Sequence, residues 1–318
     1  MRSEWDNRPM LAAASPDASW TLDPGPIVIV LALLALYVPR WRAARRQDGA
    51  RAAPVWRLLS FLGGVLALVI ALLSPVDALG EQLFVMHMTQ HLLLLDVAPI
   101  LLILGLTKII MRPVTRKLQR LEHAAGFLAG PIFAVTFYIS AMWVWHIPAL
   151  YDLALRHPSV HVLEHTFFIS AGLLYWWHLL SPIPSRLRLT GMGPVIYMLV
   201  TKFGVGILGI TLTFAPESLY AFYDDQPRYW GLSPTDDQQI GGALMAIEQS
   251  VIMGIALAWL FIRALSESEK ADERAERFGD RQDGRPPAPP RRGTADASEP
   301  REEDTLTPEQ LKRVMDRR

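Results

Sequence analysis

His87-Met88-Thr89-Gln90-His91 opens a run of apolar residues that continues to Gly105. Read as a helix, the run puts both imidazoles on one face, with Cβ atoms roughly 5–6 Å apart. A second pair with the same spacing, His161 and His165, opens another apolar run. Histidine inside a membrane helix is costly unless it faces a partner or a cavity. Two such pairs need a common explanation.

The rest of the chain supplies the setting. Its 318 residues are 51% hydrophobic and only 19% charged, with a mean hydropathy of +0.21. The apolar residues gather into runs of roughly 18–24, the length that crosses about 30 Å of hydrocarbon at about 1.5 Å per residue. Seven candidate spans follow: 26–41, 57–74, 83–105, 126–146, 162–180, 192–214 and 240–262. Trp20 and Trp41 read as interfacial anchors of the first. Pro99 and Pro131 fall inside spans and should kink them. There is no cysteine, which excludes disulfides, thiolate metal sites and thiol redox chemistry. No apolar core follows Met1-Arg2 closely and no small-residue cleavage site appears, so no removable signal peptide is expected.

The loops alternate in charge. Arg40, Arg42, Arg45, Arg46 and Arg51 fill the first. Lys108, Arg112, Arg116, Lys117 and Arg120 fill the third, and Arg186 and Arg188 the fifth. The even loops are poor in basic residues. The positive-inside rule then places the odd loops and the C-terminus in the cytoplasm and the N-terminus outside. Residues 1–25 read as an extracytoplasmic segment, 26–263 as the membrane domain and 264–318 as a charged, largely disordered cytoplasmic tail. Within the tail, Thr307-Pro308-Glu309-Gln310 has the form of a capping box before a short helix.

This topology brings chemistry to one face. His87 and His91, His146, His161 and His165, and the acids Asp236 and Asp237 come from four helices. All fall within roughly 12 Å of the outer surface, counting about 1.5 Å per residue. His123 and His178 belong to the other side, and His157 to an outer loop. Neutral imidazole binds copper, zinc, iron and nickel, and carboxylate can complete the shell. The plainer reading is interfacial histidines hydrogen-bonded to neighbours. Met86 and Met88 offer thioethers, although such methionines more often pack.

Rival chemistries fit less well. Two haems stacked on one helix need more than the roughly 6 Å that four residues rise, though one histidine of each pair could clamp a single haem. His161-Val162-Leu163-Glu164-His165 fits the H-x-x-E-H protease pattern, but no soluble catalytic domain surrounds it. Asp96 and Lys202 lie about 18–20 Å deep and Glu248 about 12 Å. An Asp96–Lys202 ion pair is expected, with an ion or proton path as the alternative.

At these residues the chain resembles the multi-spanning CtaG-type cytochrome c oxidase assembly proteins. The matching stretches are His87-Met88-Thr89-Gln90-His91-Leu92-Leu93-Leu94, Ala98-Pro99, Trp145-His146-Ile147-Pro148-Ala149-Leu150-Tyr151-Asp152, Glu164-His165 with Trp176-Trp177, and Asp237-Gln238-Gln239-Ile240-Gly241-Gly242. Ile100, His178 and Ala246 depart from the family pattern without removing a candidate ligand. The resemblance implies a role in maturing cytochrome c oxidase by handling copper at the outer face, with oxidase subunits as partners.

The expectation is therefore an all-α bundle of seven transmembrane helices in a bacterial inner membrane. His87, His91, His161, His165 and Asp237 would hold a metal ion, copper before haem or zinc. No catalysis and no nucleic-acid partner are expected. A copper transport or resistance permease is the near alternative and a haem-bearing redox protein the distant one. Because the chain lacks cysteine, single cysteines placed at Arg46 and at Asp225 test the topology cleanly. They should react with an impermeant thiol reagent from opposite sides of the membrane.

Overall fold

The computed structural model describes residues 15–282. Every regular element there is a helix. In order they are α1 (Pro24–Asp48), α2 (Val55–Leu73), α3 (Pro75–Gly80), α4 (Phe84–Leu92), a π-helical turn (Leu93–Val97), α5 (Ala98–Gly105), α6 (Lys108–Ala125), α7 (Pro131–Trp145), α8 (Pro148–Arg156), α9 (Pro158–Leu180), α10 (Gly193–Phe214), α11 (Ala221–Asp224) and α12 (Pro234–Gln282). Proline opens α3, α7, α8 and α9, where a missing N–H costs nothing. Pro131 therefore begins a helix and does not kink one, contrary to expectation.

Five helices are long and apolar enough to cross a membrane: α1, α2, the combined α4–α5 unit, α10 and the first part of α12. A sixth exists only if α6 and α7, bent by 62°, count as one. The expected seven are thus not all self-evident. α7 has 15 residues, about 22 Å, short of a full span alone. α9 is long enough at 23 residues, but His161, Glu164, His165 and His178 dilute its hydropathy. Large apolar side chains such as Leu31, Leu66, Ile132, Phe203, Ile210 and Ile255 stay exposed on the bundle's outside. Lipid, not water, is the solvent such a surface suits. This is a multi-pass membrane protein.

The α4–α5 unit is the bundle's centre. Of its apolar window 61% is buried, against 17–44% for the other four long helices. One side, with Leu94, Ala98 and Leu102, packs with α1 and α2. The other, with Phe84, Met88, Leu95 and Ile103, packs with α7, α9, α10 and α12. The expected kink at Pro99 takes the form of the π-helical turn just before it. Residue 99 has no N–H for the carbonyl of Leu95, so the helix widens there. Gly172 of α9 settles on that carbonyl: a methyl group at Gly172 would lie 2.0 Å from Leu95 O.

The charged segment after Ala264 begins as helix, since α12 runs on to Gln282. Its alanines, glutamates, arginines and lysines favour helix and no proline interrupts them. The rest of the expected tail, with the capping box at Thr307, lies outside the described residues.

Replacing Gly172 by alanine should force α9 away from Leu95. Overpacking of this kind costs about 1–3 kcal/mol or more. Thermal unfolding in detergent should show a clear fall in midpoint for Gly172→Ala, whereas Gly206→Ala, which meets nothing within 4 Å, should leave it nearly unchanged.

Candidate metal centre

Because α9 can approach so closely, its first turns face α4 across a narrow gap. The four histidines of the two pairs come together. Ring centroids are 4.2 Å apart for His87 and His91 and 4.1 Å for His161 and His165. Across the gap His87 stands 5.4 Å from His161, and His91 5.8 Å from His165. Between them sits Glu164, wholly buried, with Oε1 at 3.8 Å from His87 Nε2 and 3.5 Å from His91 Nε2. Glu164 is not among the residues expected to bind. Its place was visible in the spacing, since a residue three after His161 shares its helical face.

Eight buried atoms of these five residues have no hydrogen-bond partner: both ring nitrogens of His87 and His91, Nε2 of His161 and His165, and both carboxylate oxygens of Glu164. A buried polar atom left unpaired costs about 1–3 kcal/mol, and native interiors keep such atoms few and scattered, not clustered. Distances of 3.5–3.8 Å are too long for direct hydrogen bonds and leave space between donors. The donors form two sets, His87–His161–Glu164 and His91–Glu164–His165, with all ligand atoms of a set within 4.8 Å of one another.

The other expected residues go elsewhere. Asp237 is not in the cluster. Its carboxylate accepts the Phe84 and Val85 backbone N–H groups at 2.6 and 3.0 Å. Leu83 precedes α4 and cannot cap it, so the acid from α12 does. His146 points its Nδ1 at the Met142 carbonyl, 2.6 Å away, and its Nε2 rests 3.3 Å from Met88 Sδ. Met88 thus serves His146 and not the four-histidine group. Aromatic rings close the site from above: Tyr151 lies 5.1 Å from His87, its hydroxyl 3.2 Å from that of Tyr223, which donates to Gly80 O at 2.8 Å. Gln90 is turned away from the histidines and donates to Ala71 O and to Asp77. Burial holds the Asp77 carboxyl above its ordinary range, offset in part by hydrogen bonds from Thr21 and Gln90.

The profile of the cytochrome c oxidase caa3 assembly factors matches residues 35–267, which contain every residue of this cluster. The chain belongs to that family. Curated relatives of this chain include uncharacterized proteins of Mycobacterium leprae (strain TN), 24% identical over 71% of this chain, and Mycobacterium bovis (strain ATCC BAA-935 / AF2122/97), 27% identical over 65%. The chain spans about a third of the length of these relatives, 37% and 33% respectively. No solved structure matches it.

Deeper in the bundle, Asp96 does not pair with Lys202; no ion pair joins them among the described residues. Asp96 instead receives the Tyr138 hydroxyl at 2.8 Å and the Trp176 indole N–H at 2.7 Å, and it hydrogen-bonds the Glu248 carboxyl. Asp96 and Glu248, expected at different depths, meet at one level. A cavity of about 20 Å³, lined by Met88, His91, Asp96, Met142, Met245 and Glu248, lies beside this pair.

The capping role of Asp237 is directly testable. Asp237→Ala strands two N–H groups of α4 and should destabilise the bundle by about 1–3 kcal/mol. The metal content of the protein that remains folded should not change, as measured by elemental analysis after size exclusion.

Proposed function

We propose that this assembly factor holds a transition metal, copper, between α4 and α9, and supplies it for maturation of a cytochrome c oxidase. The observation behind this reading is the convergence of unpaired donor atoms from four imidazoles and one carboxylate at one place in the bundle. Four imidazoles and a carboxylate suit copper, and the family's task, assembly of a copper oxidase, favours it over zinc. Haem fits less well, because Glu164 fills the space between the rings.

In this reading α7 and α9 also cross, giving seven spans with the N-terminus outside and the C-terminus in the cytoplasm. Helix polarity then sets the histidines at the extracytoplasmic end, opposite the arginine-rich loops. An oxidase subunit facing that side is the recipient. A copper permease is the second reading. It draws on the cavity that leads inward from His91 past Met142 and Met245 to Asp96 and Glu248.

The test is a His87→Ala/His91→Ala double variant. It removes ligands and not packed apolar volume, so the protein should persist in the membrane with only modestly reduced stability. Bound metal should fall sharply. Cellular oxidase activity under copper limitation should fall with it and recover in part with added copper, by mass action. Unchanged oxidase activity at normal variant levels would sink the role in oxidase maturation.

A further inference from the structure

We infer that the centre is dinuclear, with Glu164 bridging two metal ions. The inference rests on the metal-holding reading above and sharpens it from one ion to two.

The geometry of the donors points there. An ion with bonds of about 2.0–2.1 Å can reach donors no more than about 4.2 Å apart. The five side chains fall into two sets of three, each with its ligand atoms within 4.8 Å of one another, close to that reach, and Glu164 is the member common to both. Each set takes one histidine from α4 and one from α9: His87 with His161, then one turn deeper His91 with His165. The cross pair His87–His165 is wider, at 6.3 Å between ring centroids. The arrangement is a ladder of two rungs, spaced by the helical turn that separates residues four apart.

Glu164 stands between the rungs because it follows His161 by three residues and precedes His165 by one. Its Oε1 lies within 4 Å of the α4 histidine of each rung, and both its oxygens lack a hydrogen-bond partner. A carboxylate with two vacant oxygens can give one to each ion. Two-metal sites place their ions about 3.5–4 Å apart, a spacing one carboxylate spans. Two cations also explain why an acid is buried here among four neutral imidazoles. One positive ion suffices to balance one carboxylate; the second rung of two further imidazoles would then stay idle and unpaired.

The donors also point to an oxidation state. Imidazole and carboxylate are not the soft sulfur set that selects Cu(I). The nearest thioether, Met88, is engaged by His146. The two rungs therefore suit Cu(II) or another divalent first-row ion.

The experiment titrates Cu(II) into the purified full-length protein in detergent, counting bound copper per chain by elemental analysis and unpaired spins by electron paramagnetic resonance. Two coppers per chain, with far fewer than two spins because the bridged ions couple, is the expected result. The rung variants His87→Ala/His161→Ala and His91→Ala/His165→Ala should each bind one copper and show one full spin. Glu164→Gln should weaken binding and restore uncoupled spins. One copper per chain at saturation, with one spin, overturns the dinuclear centre and leaves the metal-holding reading standing. No copper above that of a variant lacking all four histidines overturns both.

Discussion

The close approach of α9 to the central span is the contact on which the rest depends. It requires two residues at once. Pro99 withholds the N–H that Leu95 O would accept in a regular helix, and Gly172 brings no side chain against the carbonyl so exposed. Membrane helices associate without a hydrophobic driving force between them, so small residues and backbone contact do the packing. Here that contact lies two turns deeper than His165. It sets the gap between the helices and hence the distances at which four imidazoles and one carboxylate meet. A wider gap would leave two unrelated pairs of interfacial histidines.

Two tiers of polar groups occupy the same bundle and are handled differently. The lower tier is satisfied: Asp96 has Tyr138, Trp176 and Glu248. A hydrogen bond between two carboxyl groups needs a proton on one of them, so this tier limits its charge by sharing. The upper tier is not satisfied by protein at all. Its donors face each other at distances fit for a third party and not for one another. Since both tiers sit in the same low-dielectric surroundings, poor design of buried polar groups cannot account for the contrast. The bundle bonds its deep acid and leaves the shallower donors open, and the proposed metal site rests on that contrast.

Much of this was legible in the chain. Apolar runs located the apolar body of each long helix, because length and hydropathy are properties of a segment alone, but not the charged ends onto which α1 and α12 continue. The i, i+4 spacing put each histidine pair on one face for the same reason. What depends on rotation about a helix axis was not legible. Asp237 caps α4, and Asp96 meets tyrosine and tryptophan instead of Lys202. Glu164 escaped because it was weighed as part of a protease motif and not as the third residue of a face already holding two ligands. The count of spans suffered from the site itself. Its polar residues lower the hydropathy of α9, so the helix with most of the chemistry looks least like a membrane helix.

That last conflict has a physical consequence. A helix with His161, Glu164 and His165 in its first turns would insert poorly alone, each ionisable group adding to the cost of entering lipid. α9 becomes favourable in the membrane only when those groups face α4 and are covered by Tyr151 and Tyr223. Val162, Leu163 and Phe167 turn outward on the same helix and meet the acyl chains. Folding of the bundle and assembly of the centre are then one event. An ion that bound only the assembled state would stabilise the packing of α9 by mass action, so the stability of the bundle would follow the supply of that ion.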